Sequence, residues 1–561
     1  MTVISVKLDG SMTAEDVLAI AFGRPKIELD ADALDRVDRA AQYVADKANA
    51  GEVVYGVTTG FGKNSDVILP SAEAAVALQR NLIISHAVCV GDPLPTEVVR
   101  AILAIRIGTL LRGHSGMRRS TLRTLADMLE RGVHPIIPEK GSCGASGDLA
   151  PLSHVGLVLI GLGEAEYEGH RLPGGVAMQR AGLESCDLTY KEGLALINTT
   201  ALMTALGVLA AGRLQQLLRT ADLAAAMTTE AIAGRGAAFD ERVHRLRAHP
   251  GQLVTAANLR KLLAGSTLID IDPEAICRTG GDWTVDAQGH FHGGKSRSPQ
   301  DSYSLRCVPQ IHGAVRDTLA HLSSVLDREL DSVTDNPLLF PEDDAVISGG
   351  NFHGMPLALA LAAVKNGIPV LASLSERRFA KLVDGHTNDG LPFFLIDNAD
   401  GIQSGFMLVQ YTAAALVNDL IARAHPASTH SIPTCANFED HVSMGANEAR
   451  HVHSMLDDLE RVLALELIGA AQALDLRLAI LARKLWRDGP SSEKTRRHAE
   501  RIAAEKHRPS PATRRTLDHF RRRIPFLDRD RELRHDIDAA IELVRDGSLL
   551  AEADAECGGL E

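Results

Sequence analysis

Apolar residues recur at three- and four-residue steps along most of the chain, a spacing that predicts a mainly α-helical protein. Amphipathic helices are predicted early in the chain over 30–50, 97–113 and 119–132. Longer helical patterns follow at 191–234, 303–332, 354–384, 403–424 and 443–484. Several of these exceed the mean globular helix of about 11–12 residues at least twofold. Because they lack a sustained heptad repeat, they need one another or neighbouring subunits to cover their apolar faces.

The beginning of the chain has a different pattern, in which short strands alternate with helices. Residues 3–8 alternate apolar and polar side chains as a strand does, and the Asp-Gly pair at 9–10 predicts a turn. Thr13 marks the start of a helical stretch, and residues 53–57 resemble a short strand that enters a glycine-rich loop. The predicted fold is therefore a long-helix bundle with a smaller mixed α/β unit at the N-terminus.

The pattern also predicts a division into three parts. Residues 1–115 form an N-terminal globular unit, 116–487 a central helical bundle, and 488–561 a polar C-terminal segment. Residues 266–299, rich in Gly, Asp and Ser, are expected to be a surface insertion between helices. Residues 494–523 hold many Arg and Lys, which is typical of a solvated face or a linker.

Composition and charge narrow the class of protein. The chain has 561 residues, of which 45% are hydrophobic and 23% charged, and a formal net charge of −13. That negative balance argues against a general nucleic-acid binder. The seven cysteines are scattered and form no Cys-x-x-Cys pair, so we expect neither a disulfide framework nor a metal site. The N-terminus lacks a secretory apolar core, and no apolar run approaches a membrane span, so we expect a cytoplasmic protein.

The stretch 141–154, Gly-Ser-Cys-Gly-Ala-Ser-Gly-Asp-Leu-Ala-Pro-Leu-Ser-His, is the most unusual part of the chain. A plain interpretation is a turn into a helix, with Asp148 as N-cap and Pro151 in the first turn. That interpretation leaves the concentration of small residues before Asp148 unexplained. A backbone so free of crowding could fold back, so that the amide nitrogen of Gly147 attacks the carbonyl carbon of Ala145. Loss of water would then give an imidazolone ring, and loss of a second water from Ser146 would leave an exocyclic methylidene.

This stretch closely resembles the signature of the histidine and aromatic amino-acid ammonia-lyases, whose Ala-Ser-Gly cyclises to 4-methylidene-imidazol-5-one (MIO). The resemblance runs from about residue 3 to 485, and more weakly to about 545, with the motifs in matching order. It implies the ammonia-lyase/fumarase-like architecture, MIO formed from Ala145, Ser146 and Gly147 without an external cofactor, and a homotetramer whose active sites combine residues of different subunits.

A phosphate-binding loop is one alternative for the glycine-rich loop at 53–64. The spacing from Gly56 to Gly62 and Lys63 is one residue too long for that motif, and Asn64 replaces the required Ser or Thr. A flexible surface loop with an incidental tyrosine remains as the plain alternative. The resemblance instead makes Tyr55 the base that removes the β-proton.

Elimination of ammonia also needs an anchor for the substrate carboxylate, ideally an Arg guanidinium. Tyr303 and Arg306 are three residues apart and hence on one helical face, just after Gln300. By themselves they indicate a capped helix with a solvent-exposed Arg. The resemblance places Tyr303 and Arg306 in the active site, with Arg306 on the carboxylate and Gln300 in support. Ser302 stands where the family usually has Pro.

Two further positions match residues that contact MIO or substrate in the family. Asn198 lies in Leu-Ile-Asn-Thr-Thr, and Phe352 lies in Gly-Gly-Asn-Phe-His. Without the resemblance, Asn198 would be a satisfied core polar group and Phe352 a core aromatic residue. Thr199, next to Asn198, replaces the family's usual Gly.

The resemblance implies that one residue pair determines substrate choice. In this chain the pair is Ser85 and His86, as in the histidine-active members of the family. Glu439 also matches those members, and a carboxylate can accept a hydrogen bond from an imidazole N–H. Met407 agrees with them as well, whereas Phe438 replaces the family's Gln. A plain interpretation of His86 alone is a buried, hydrogen-bonded histidine.

The sequence therefore leads to one main hypothesis, an MIO-dependent lyase that converts L-histidine to trans-urocanate and ammonia. A tyrosine or phenylalanine ammonia-lyase, a 2,3-aminomutase and a lyase for a histidine analogue stay open as alternatives. A non-catalytic helical scaffold is the alternative from a different class, and the complete set of cyclising residues together with Tyr55 speaks against it. Metal catalysis is not indicated, because no His-Glu-x-x-His or comparable ligand cluster occurs.

Overall fold

The computed structural model describes residues 5–271, 284–285, 291–292, 300–396, 401–487 and 505–561. Helices dominate these residues and the strands are short, which confirms the predicted mainly α fold class with a mixed part near the N-terminus. The four longest helices are Ala201–Ala231, Val308–Leu330, Met355–Val383 and Gly445–Arg487. The other helices, in chain order, are Ala14–Phe22, Ala31–Asn49, Ala72–His86, Thr96–Leu111, Arg119–Arg131, Leu149–Leu159, Gly174–Arg180, Glu192–Ile197, Glu241–Arg245, Pro250–Leu263, Tyr303–Arg306, Met407–Arg423, Pro511–Arg521, Arg534–Arg545 and Ser548–Cys557.

The strands form small separate sheets rather than one continuous sheet. Ser5–Leu8 pairs in parallel with Lys26–Leu29, with Ser5 opposite Lys26. The other pairings are antiparallel: Glu164–Tyr167 with both His134–Pro135 and His170–Pro173, Val90–Pro93 with Pro138–Lys140, Thr284–Val285 with Phe291–His292, and Leu338–Phe340 with Ala345–Ile347.

Local chemistry explains where the first helices begin. Thr13 and Asp16 form a capping box: the Asp16 N–H donates to the Thr13 hydroxyl at 3.2 Å, and the Thr13 N–H donates to the Asp16 carboxylate at 3.0 Å. The next helix, Ala31–Asn49, begins after Asp30, whose carboxylate accepts the N–H of Ala33. The predicted helices at 30–50, 97–113 and 119–132 are therefore confirmed within one or two residues at each end.

The structure corrects three predicted elements. Residues 53–57 are not a strand: the Val57 N–H donates to the Val54 carbonyl and Gly56 has a φ of +65°, so local turns replace a ladder. The predicted helix 191–234 is interrupted at residues 198–200, between Glu192–Ile197 and Ala201–Ala231. The predicted helix 303–332 is likewise divided at Cys307.

The basic stretch after residue 504 is not a linker. It contains the helix Pro511–Arg521, which buries Leu517 and Phe520. Its arginines pair with carboxylates: Arg521 Nε lies 2.7 Å from Asp475, and Arg523 contacts Glu542 at 2.5 Å. The predicted surface insertion at 266–299 lies largely outside the described residues.

Contacts between Cα atoms divide the chain into two units. The first unit comprises Met1–Gly212, His321–Lys365 and Pro426–His453. The second unit comprises Arg213–Ala320, Asn366–His425 and Ser454–Glu561. The three-part division of the chain differs from these two units and stays a prediction from the sequence.

Two stretches of the described chain are long and apolar enough to cross a membrane by length and composition, Glu192–Ala231 and Met355–Val383. The expectation that no apolar stretch reaches the length of a span is therefore wrong for these two. In their most apolar windows, 94% and 67% of the residues are buried within the protein, as in the core helices of a helical bundle.

Candidate active site

The cyclising loop, residues 141–148, has a backbone that only small residues can adopt. Ser146 has a φ of +50° and Gly147 a φ of +75°, both in the left-handed region. A Cβ atom on Gly147 would lie 2.2 Å from the carbonyl oxygen of Thr199, and one on Gly144 would lie 2.1 Å from the Ser443 hydroxyl. Gly144 and Gly147 are therefore required by the close approach of the Ser443 side chain and of the Thr199 backbone, which fits a segment that folds back on itself.

Asp148 anchors this loop, but not through the contact predicted from the sequence. It precedes the helix Leu149–Leu159 without a side-chain cap bond to that helix. Its carboxylate instead accepts the Met203 N–H at 3.0 Å, in the first turn of Ala201–Ala231, and the Ser142 hydroxyl at 2.9 Å. Burial raises the pKa of Asp148 to about 7. The cap therefore joins the loop to a helix that begins more than fifty residues later in the chain.

Asn198 holds the loop from the other side. Its Nδ2 donates to the Ser146 carbonyl oxygen at 2.8 Å, while its buried Oδ1 has no hydrogen-bond partner among the described residues. Thr199, the departure from the family pattern, is buried, and its hydroxyl lies 3.1 Å from that of Thr334. Its carbonyl accepts the Asp148 N–H at 2.6 Å. The Thr199 side chain therefore has a partner of its own beside the loop.

A cavity of about 1140 Å³ in the first unit, here called the main cavity, brings most of the sequence-predicted residues together. Its lining includes Tyr55, Ser85, His86, Ala145, Ser146, Gly147, Asn198, Phe352 and Glu439. It also includes Phe438, which is 53% exposed. Segments that are far apart in the sequence thus meet around the cyclising loop.

Tyr55 is held by its own loop. The Gly62 N–H donates to the phenol oxygen at 3.1 Å. Burial is the main cause that raises the pKa of Tyr55 above its usual value, and the charge of Glu439 raises it further. A phenol in this environment needs added positive charge before it can accept a proton near neutral pH.

His86 and Glu439 lie at another part of the lining. Nδ1 of His86 is 2.9 Å from the Ser85 hydroxyl, and burial lowers the pKa of His86, which favours the neutral imidazole. Glu439 accepts two hydroxyl hydrogen bonds, from Ser146 at 2.7 Å to Oε1 and from Thr434 at 3.0 Å to Oε2. The carboxylate is therefore fixed with one oxygen on the cyclising loop.

A buried ion pair supports the segment that carries Glu439, residues 426–444. Lys365 contacts Glu448, and both side chains are fully buried. The same Glu448 carboxylate accepts the Ser428 N–H at 2.7 Å. Within the segment, the Thr434 N–H donates to the Glu439 carbonyl at 2.8 Å. The charge pair thus anchors the segment near its start, at Ser428.

Gln300, Tyr303 and Arg306 lie in the second unit, where they line a separate cavity of about 420 Å³ together with Lys381 and Asp389. Arg306 Nε donates to the Asp301 carbonyl at 3.0 Å, and its guanidinium carbon lies 4.6 Å from the centre of the Tyr303 ring. Tyr303 is 68% exposed. Met407 begins the helix Met407–Arg423, also in the second unit.

Sequence reasoning missed Thr434 and Cys435 as part of the site. Thr434 orients Glu439, and Cys435 packs against Gly62, where an added Cβ would lie 2.5 Å from the thiol sulfur. Their position only a few residues before Glu439 was the available signal. The contact with Gly62 links the Glu439 segment to the loop that holds Tyr55.

Comparison with known proteins finds relatives along nearly the whole chain. The aromatic amino acid lyase family model matches residues 12–504. Histidine ammonia-lyase from Symbiobacterium thermophilum is 47% identical over 557 residues, covering 99% of this chain and 100% of that protein. The crystal structure of histidine ammonia-lyase from Trypanosoma cruzi has a TM-score of 0.82 and 34% identity, covering 99% of this chain and 96% of that one. Tyrosine aminomutase from Streptomyces globisporus has a TM-score of 0.85 and 35% identity, covering 98% of each chain.

Proposed function

The chain belongs to the aromatic amino acid lyase family, and from this premise we propose that it eliminates ammonia from L-histidine to give trans-urocanate. The observation that carries the choice of substrate is the meeting of His86 and Glu439 in one cavity with the cyclising loop. The full-length similarity to histidine ammonia-lyases supports the same choice.

We propose that Ala145, Ser146 and Gly147 form MIO. The left-handed Ser146 and Gly147, and the close approach of the Thr199 carbonyl to Gly147, fit a backbone arranged for ring closure. When formed, the group supplies an electrophilic carbon that makes the substrate amine a better leaving group. Asn198 holds the Ser146 carbonyl, and its unpartnered Oδ1 is available to accept a hydrogen bond from the substrate amine.

Tyr55 is the proposed base for the β-proton, which its phenol oxygen accepts. Because burial raises its pKa in the free protein, the base becomes effective only with cationic groups nearby. The substrate ammonium and the guanidinium of Arg306 are the proposed source of that charge. The Gly62 N–H, already on the phenol oxygen, stabilises the phenolate.

The imidazole of the substrate is proposed to lie between His86 and Glu439. A Glu439 oxygen accepts an imidazole N–H, and a phenyl or phenol ring in the same place would leave that carboxylate without this partner. Phe352 is proposed to complete the apolar wall. Phe438, partly exposed in the lining, adds apolar surface where the family's Gln is polar.

Gln300, Tyr303 and Arg306 are proposed to act in the active site of a neighbouring subunit of a homotetramer, with Arg306 on the substrate carboxylate. Two observations support this assembly. Tyr303 is exposed although aromatic, and apolar side chains on two long helices are exposed as well: Leu359, Val370, Leu408, Tyr411 and Ile421. Such faces need another copy of the chain to cover them.

A cytoplasmic location is proposed from the state of the cysteines. The six cysteines in the described part of the chain are all free, which fits a reducing compartment.

A tyrosine 2,3-aminomutase is the second candidate, because the solved tyrosine aminomutase shares the fold across nearly the whole chain. The two proposals differ in product. The protein is incubated separately with L-histidine, L-tyrosine and L-phenylalanine, and the products are identified by chromatography and mass spectrometry. Urocanate from histidine supports the proposal, whereas a β-amino acid or coumarate from tyrosine without urocanate overturns it.

A further inference from the structure

In the described chain, before any cyclisation, the Ser146 hydroxyl is not free in the cavity. It donates to Glu439 Oε1 at 2.7 Å, and Oε2 of the same carboxylate is held by Thr434. Ser146 is the residue whose hydroxyl has to leave as water if MIO is to form. The carboxylate proposed to bind the substrate imidazole therefore contacts the hydroxyl group that leaves when MIO forms.

We propose that Glu439 has a second catalytic role, in which it protonates the departing Ser146 hydroxyl during MIO formation. This inference rests on the proposed function, because it concerns how the proposed cofactor forms. The short contact between the two oxygens carries a proton in either direction, according to whether the carboxyl is protonated. Hydroxide is a poor leaving group, so a positioned acid at this oxygen removes the main obstacle to dehydration.

The step balances as a loss of one water. The proton on Ser146 Cα passes to water, and its electron pair forms the double bond between Cα and Cβ. The bond between Cβ and Oγ breaks, and Oγ takes the proton of the Glu439 carboxyl and leaves as water. The carboxylate then recovers a proton from solvent. Asn198 assists, because its Nδ2–H lies on the Ser146 carbonyl oxygen, where negative charge develops as the Cα proton leaves.

The carboxyl group of Asp148, within the cyclising loop, is engaged elsewhere. The oxygens of Asp148 accept the Ser142 hydroxyl and the Met203 N–H, so this carboxylate is committed to anchoring the loop. The Tyr55 phenol oxygen accepts the Gly62 N–H. Glu439 is thus the carboxyl whose contact falls on the atom that leaves.

The arrangement also orders maturation before substrate binding. While Ser146 keeps its hydroxyl, Oε1 of Glu439 is occupied by it. Departure of that hydroxyl as water frees Oε1, so the same oxygen becomes available to accept a substrate imidazole N–H. Dehydration therefore completes the imidazole site in the same step that completes the electrophile.

The test measures maturation by mass rather than by activity. Full-length wild type and the variants Glu439→Ala, Glu439→Gln and Val88→Ala are produced in a cell-free translation system and sampled over time. Trypsin releases the peptide 141–171, in which loss of each water is read by mass spectrometry. Val88→Ala is the matched control, because it alters the lining of the same cavity at an exposed apolar side chain that carries no ionisable or hydrogen-bonding group.

We expect wild type and Val88→Ala to lose two waters at the same rate. Both Glu439 variants are expected to lose the second water roughly 10²–10⁴-fold more slowly. Glu439→Gln keeps the shape and a hydrogen bond to Ser146 but cannot transfer a proton, so it decides the question even if Glu439→Ala misfolds. Loss of both waters at the wild-type rate in Glu439→Gln overturns the inference. If wild type itself loses no water, the proposed function fails instead.

Discussion

The buried carboxylate of Asp148 anchors the cyclising loop. Replacement of Asp148 by asparagine tests whether ionisation of this carboxylate lowers the free energy of unfolding as the pH rises. Asparagine has the same shape, and its carbonyl oxygen can still accept the Met203 N–H. Its amide can donate to the Ser142 hydroxyl oxygen, so the two recorded contacts are kept in altered form. What changes is that the side chain no longer ionises.

The size of the change in the free energy of unfolding follows from the pKa of Asp148. The pKa of Asp148 is about 7 in the folded protein, because of burial, against 3.8 for an ordinary aspartate. A folded-state pKa above the unfolded one means that the associated stability is present at low pH and is lost as pH rises toward the folded value. Integrated over the pH range, ionisation of Asp148 lowers the free energy of unfolding by about 3 kcal/mol between about pH 5 and about pH 8.

The assay is urea denaturation of wild type and Asp148→Asn at both pH values, followed by circular dichroism. Relative to wild type, the Asn variant is expected to gain about 3 kcal/mol on going from the acidic to the alkaline condition. Asp148→Ala is the contrasting variant: it leaves the Met203 N–H without its acceptor and is expected to lose about 1–3 kcal/mol under acidic conditions. Identical pH dependence in wild type and Asp148→Asn would refute the reasoning.

Three further outcomes are expected. Tyr55→Phe should lower kcat for histidine roughly 10²–10⁴-fold, because the proposed base is lost, while the mass of peptide 141–171 stays that of wild type; an unchanged kcat removes Tyr55 as the base. Arg306→Lys should lower kcat/KM about 10- to 100-fold, because a bidentate carboxylate contact becomes a point charge, and saturation kinetics with histidine measure this. Lys365→Met should lower the free energy of unfolding by about 3–5 kcal/mol in urea denaturation, because Glu448 is left buried without its partner. Adding Glu448→Leu should recover most of that loss, and equal stability of the single and double variants would contradict the role of the ion pair.

The sequence pattern predicted helices well wherever helix formation depends on local spacing. The regular apolar period over 354–384 and 443–484 corresponds to Met355–Val383 and Gly445–Arg487. The break at 198–200 could not be predicted in this way, because the second helix is capped by Asp148, a residue distant in sequence. The supposed strand at 53–57 failed for a similar reason, since hydrogen bonds within the turn replace those of a partner strand.

For the candidate site, the sequence selected residues that line one cavity, but it did not predict their contacts. Tyr55, His86, Asn198 and Glu439 were selected by motif, and the structure places all four around one cavity. The raised pKa of Tyr55 follows from burial, and the bond between Ser146 and Glu439 joins positions almost three hundred residues apart. Neither feature has a local sequence signal.

Elimination of ammonia from histidine by the cyclised Ala-Ser-Gly is tested by the rate of urocanate formation from L-histidine, followed by ultraviolet absorbance, for wild type beside Ser146→Ala. We expect urocanate and ammonia in equal amounts from wild type and no turnover above background from Ser146→Ala. Absence of urocanate from a wild-type protein that has lost two waters would contradict histidine as the substrate. Equal rates in the two proteins would contradict the role of the cyclised Ala-Ser-Gly.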